Sequence, residues 1–225
     1  MSIVKAEPVG LAIGPEKKLS LTTVAGLNGL VHQYFYFAMS LLLAAIVVEG
    51  FKRTVNDNLF HPAVPRPFIL WIHASAFAGW VIFFIGQSAL VRVRKVGWHR
   101  SLGWFGAGLA TVMVPLGVAT AIIMARFDTV QLHQSGADAF LSIPFYDMIA
   151  FGVCIALAIY WRTKPELHRR LIFLLGVARD LLVDRRVHKV YLRALPVLIV
   201  GQSLAVYMWR HNPSWWQAIT HVIMG

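Results

Sequence analysis

Charge is scarce in this sequence. Asp, Glu, Lys and Arg make up 14% of its 225 residues, against about 25% in a soluble domain. So little polar surface cannot cover a globule in water, which excludes an ordinary soluble domain. A bilayer removes the requirement. Cysteine is nearly absent: Cys154, the only one, excludes an internal disulfide and a thiolate metal cluster, and inside an apolar run it reads as a small buried hydrophobe. Also lacking are the GxxxxGK(S/T) and GxGxxG phosphate loops, the GxSxG nucleophile elbow and the HExxH zinc helix. No HxxHH-type box of a membrane di-iron oxygenase occurs either. The first twenty residues hold Lys5, Glu7, Glu16, Lys17 and Lys18 with no apolar core between them. They predict no cleavable signal, and the first helix is expected to be a retained anchor.

Hydrophobic residues are abundant, at 58% of the chain, with a mean hydropathy of +0.64. A helix needs roughly 20 mostly apolar residues to cross about 30 Å of hydrocarbon. The runs 30–48, 68–91, 102–124 and 144–161 meet this, and 191–209 does so if Arg193 snorkels to the headgroups. Backbone amides in hydrocarbon must bond within their own segment, so each run is expected to be a helix. Trp71, Trp98, Trp161 and Trp209 fall at or near the ends, where interfacial anchors belong. The segment 171–183 is too short to cross, since thirteen residues reach only about 20 Å, and Arg179 and Asp180 interrupt it. The expectation is an all-α polytopic transmembrane bundle of five spans, or six if 171–183 crosses. It forms one membrane domain: residues 1–29 as a cytoplasmic segment, 30–209 as the bundle and 210–225 as an interfacial tail.

The net charge of +11 sits in short clusters between apolar runs, a pattern that suits anionic lipid headgroups and not nucleic acid. Arg92, Arg94, Lys95 and Arg100 follow the second span, and Arg162, Lys164, Arg169 and Arg170 follow the fourth. The opposite loops hold only Lys52, Arg53, Arg66 and Arg126. The positive-inside bias therefore predicts a cytoplasmic N-terminus. Ala74, Ser75, Ala78 and Gly79 on the second span, and Gly106, Ala110, Gly117 and Ala121 on the third, have the small-xxx-small spacing of close helix contacts. Pro115 is expected to kink the third span. His73, Trp80 and Gln87 recur every seven residues, forming a stripe expected to face the interior as a polar path or as helix-to-helix glue.

RKVGWHRSLG (94–103) and RTKPELHRRL (162–171) each place basic residues, then His-Arg, then leucine. A duplicated two-helix unit would make His99 and His168 equivalent, although shared interfacial rules generate the same pattern without duplication. From about residue 30 onward, FHPAVPRPFILWIHASAFAGWVIFFIGQSALVRVRKVGWHRSLGWFG, KPELHRRL and RDLLVDRRVHKVYLRALP resemble a family of uncharacterised bacterial multispanning membrane proteins. The most specific features are His73 in WIHA, Gln87, His99-Arg100 with Leu102-Gly103, and His168-Arg169-Arg170. The resemblance implies a polytopic helical fold in a bacterial cytoplasmic membrane and no particular activity. The stretch after HRRL is shorter than the family pattern, which puts the helix count there in doubt.

Nine histidines are the main chemical signal. His99 and His168 lie at the cytoplasmic starts of two helices; His61, His73 and His133 lie toward the other face. A b-type heme needs two neutral imidazoles from different helices near one membrane face. His99 and His168 meet that condition, with Arg100 and Arg169 placed for the propionates, and His73 could serve a second heme with His61 or His133. The competing reading is that each His-Arg pair merely solvates a helix start. At the other face, Glu49, His73 and Asp147 could hold a divalent metal such as zinc and activate water. The structural alternative there is a buried Asp147 bonded to His73 or Tyr146. His211 and His221 are expected to be interfacial. Three classes follow: a heme-b redox membrane protein with a redox partner or membrane complex, a metal-dependent membrane hydrolase, or a non-catalytic protein of transport, assembly or partner binding.

Overall fold

The computed structural model describes the backbone of residues 15–173, 177, 180, 181 and 185–225, and side chains from residue 34 onward. The elements are helical throughout the described residues: α1 (Pro15–Val55) with a wide π-helical turn (Asn56–Phe60), α2 (Ile69–Arg92), α3 (Val96–Val130), a 3-10 turn (Ala139–Leu141), α4 (Ser142–Tyr160), α5 (Pro165–Ile172), α6 (Lys189–His211) and α7 (Ser214–Met224). The chain divides into two compact units, Met1–Phe35 and Tyr36–Gly225. Of the first, the helical stretch from Pro15 is described.

Five stretches are long and apolar enough to cross a membrane: Tyr34–Phe60, Ile69–Arg92, Val96–Val130, Ala139–Tyr160 and Lys189–His211. They coincide with the five expected runs, and the fold is an all-α polytopic bundle. The doubtful segment 171–183 lies partly outside the described residues, Arg179 included. Chain reversals follow local chemistry. Arg94 takes a left-handed φ of 59° between α2 and α3. Pro165 opens α5, where its missing N–H costs nothing. The His188 ring accepts the Val190 N–H at 3.2 Å and caps α6.

The centre of the bundle is α3, which packs on α2 and α4, while α4 also packs on α5 and α6. Its buried residues Gly106, Ala110, Met113, Gly117 and Thr120 form one stripe. A Cβ at Gly106 would strike the Phe83 ring, and one at Gly117 would strike Met148. The small-residue expectation therefore holds on α3. On α2 it does not: Ser75 and Ala78 are exposed, and Gly79 has open space around it. Helix α3 continues through Pro115. Thr111, Thr120 and Thr129 return their hydroxyls to the carbonyls of Ala107, Leu116 and Ala125, which satisfies them without a partner helix.

The tail is more than an interfacial strip. Helix α7 folds back across one end of the bundle, where Trp216 packs with Ala125 and Leu141 in a small core. Its indole donates to the Ala139 carbonyl at 3.2 Å, and Arg126 donates to the Ile223 carbonyl at 2.7 Å. Arg66 and Asp128, 2.8 Å apart, tie the α1–α2 connection to the same end. The C-terminus thus shares a side with the α3–α4 connection, as an odd number of crossings after the N-terminal segment requires. Gly225→Cys and Ser135→Cys are expected to react with a membrane-impermeant maleimide from the same side of oriented vesicles. Opposite reactivity would break the five-span arrangement.

Candidate functional site

At the opposite end, the first turn of α3 and the short α5 bring two histidines together. The rings of His99 and His168 lie with centres 6.1 Å apart and planes at 76°. Helix α4 runs out near this point, and its last carbonyls lack helical partners. The Trp161 and Arg162 amides bond to Leu157 and Ile159. His168 Nδ1 reaches the Ala158 carbonyl at 2.8 Å. A carbonyl only accepts, so Nδ1 carries the proton and Nε2 of the neutral ring carries the lone pair. The His99 Nδ1 is buried with no hydrogen-bond partner among the described residues. His168 thus leans on the backbone of α4, and each imidazole keeps one ring nitrogen for something else.

Arg100 follows His99 and is exposed. Arg169 is engaged: its guanidinium lies 2.5 Å from Glu166 and 5.8 Å from the centre of the Tyr36 ring. The buried Arg170 contacts both Glu166 and Asp180. Hydrogen bonds from Arg170 hold the Glu166 carboxyl below its ordinary range, aided by the charge of Arg169. A depressed carboxyl stabilises the fold above its unfolded pKa, near 4.3, and loses that contribution as pH falls through the folded value. The difference in melting temperature between the wild type and Glu166→Gln in detergent is therefore expected to be constant near neutrality and to vanish in strong acid. An equal difference at both extremes would remove Glu166 from the network.

The remaining candidates are not assembled. His73 stacks on Phe77 of its own helix at 4.1 Å, and its Nδ1 is buried without a partner among the described residues. The histidines expected to face it lie elsewhere: His61 pairs with Asn56 at 3.0 Å, and His133 is exposed on a left-handed turn. Glu49 is exposed and paired with Lys52. Asp147 is exposed on α4, and Tyr146 donates instead to the Leu198 carbonyl of α6 at 2.9 Å. This overturns the picture of a buried Asp147 held by Tyr146. Among the described residues no three His, Cys, Asp or Glu side chains form a group that could hold a metal ion, so Glu49, His73 and Asp147 do not converge. On the expected stripe, Trp80 does turn inward to meet Phe151 of α4, and Gln87 Oε1 is buried without a partner among the described residues. The two repeat segments differ among the described residues: α3 runs on for 35 residues and α5 for 8.

Sequence reasoning missed the Ala158 carbonyl and the Arg170–Asp180 contact. The first is a main-chain atom that no residue type announces. Fold and site together define a polytopic helical membrane protein with an imidazole pair at one end of its bundle. Compared with family models, curated proteins and solved structures, the chain matches none.

Proposed function

We propose that this chain is a heme-b-binding redox protein of the bacterial cytoplasmic membrane, with His99 and His168 as the side chains that would hold the heme iron. The observation that carries the reading is the imidazole pair itself. Two imidazoles bound to one metal through bonds of about 2 Å have ring centres roughly 6 Å apart, and these lie 6.1 Å apart. The donor set suits a macrocycle: the protein offers two nitrogens, and a porphyrin brings its own four. A ligating histidine commonly donates its other N–H to a carbonyl, as His168 does to Ala158. Bound there, heme supplies a one-electron couple.

The residues of the chain do the holding. Ala158 fixes the His168 tautomer. Arg100 is positioned to neutralise a propionate, with Arg169 shared between that task and Glu166. The charge bias of the loops supports a cytoplasmic position for this end, where Arg94, Lys95, Arg162, Lys164, Arg185 and Arg186 are exposed. They meet anionic lipid headgroups and favour a redox partner of negative surface potential.

The deciding measurement is an absorption spectrum of the detergent-solubilised protein produced with heme supplied. A Soret band with resolved α and β bands on reduction is the expected outcome. A colourless, correctly folded protein would overturn the reading.

A further inference from the structure

We propose that Arg170 is the positioning residue of the imidazole pair: its buried guanidinium, clamped by Glu166 and Asp180, sets α5 so that His168 faces His99. The spectral arm of its test rests on the heme reading, and the other arm does not. The problem to be solved is α5 itself. A helix of 8 residues is far below the length that holds together alone, so tertiary contacts must place it. At about 100° per residue, Glu166 and Arg170 fall on one flank of α5, and His168 points to roughly the opposite one. The His168 flank is tied to α4 by one hydrogen bond to Ala158.

The other flank carries the anchor. Arg170 is 5% exposed and Asp180 is 2% exposed. Its Nε donates to Asp180 Oδ2 at 3.3 Å and its Nη2 to Asp180 Oδ1 at 3.4 Å, a two-point grip that fixes the direction of the side chain. Its Nη1 donates to the Glu166 carbonyl at 3.0 Å and to the Glu166 carboxylate. Asp180 Oδ2 also accepts the His188 amide at 3.3 Å, and His188 caps α6. The buried Tyr191 donates to the Phe173 carbonyl at 3.4 Å just beyond the end of α5. One guanidinium therefore links α5 to the start of α6. A lysine could not replace the planar fork.

The test compares wild type, Arg170→Gln and Asp180→Asn in protein labelled with ¹⁵N-histidine, the His168 signal being identified by its loss in His168→Gln. Wild type is expected to show His168 as a single Nδ1–H tautomer. Both variants are expected to show averaging between tautomers, and in heme-loaded protein about tenfold weaker heme affinity with a shift toward high spin. A purely structural role would lower the melting temperature and leave the tautomer and spin state unchanged in the folded fraction, which overturns the inference. If Arg170→Gln does not fold, Asp180→Asn, of the same shape with one charge less, carries the comparison. A wild type that takes up no heme defeats the heme reading alone, because the ring-nitrogen signals still report whether Arg170 orients His168.

Discussion

His168→Ala is expected to abolish the low-spin heme spectrum, and His99→Ala to do the same, while His73→Ala leaves it intact. The contrast follows from placement. His99 and His168 face each other across 6.1 Å, whereas His73 sits on α2 against Phe77. Each of these substitutions removes one of the two side chains that would hold the heme. Heme occupancy at a fixed supply is expected to fall by at least about tenfold, since groups that only orient a ligand are already worth 10–100-fold. The readouts are the reduced α band and the heme-to-protein ratio after purification. Equal loss in all three variants would point to general destabilisation. No loss in His168→Ala would remove the pair as the ligand set.

Gly201→Ala is expected to destabilise the bundle by about 1–3 kcal/mol, the usual range for overpacking. An added Cβ on α6 would run into the Tyr146 ring of α4. That ring cannot easily swing away, because its hydroxyl is bonded to the Leu198 carbonyl on the same side of α6. Gly117→Ala meets the flexible end of Met148 instead, a side chain that can re-pack, so a smaller loss is expected there. Gly79→Ala meets nothing within 4 Å and is expected to be neutral or to stabilise by up to about 1 kcal/mol through helix propensity. Thermal unfolding in one detergent ranks the three. If Gly201→Ala melts with the wild type, the close α4–α6 approach is not a source of stability.

The bundle was legible because hydrocarbon imposes a local rule. Lengths and apolar content located the five spans to within a few residues at most ends. The α3 stripe was legible for the same reason, as its small residues recur with the helical repeat. The parallel expectation for α2 failed although its residues look alike: Ser75 and Ala78 are exposed and nothing crowds Gly79. Small residues permit a close approach and do not compel one. The tail was read as interfacial from its aromatics, but Trp216 is buried by docking against Ala125 and Leu141, partners more than seventy residues away in sequence.

The candidate site divides along the same line. His99 and His168 could be assigned to one end of the bundle from the order of spans and loops alone. That they meet, and that His61, His133, Glu49 and Asp147 do not gather around His73, depends on the rotation of each helix about its axis. Sequence by itself located the five long apolar helices, because those follow from lengths and composition, and left the crossing of 171–183 open. The tertiary structure alone decided which residues touch. Rotation and register are set by contacts between distant segments, such as Tyr146 on Gly201 and Arg170 on Asp180, and these have no local signature.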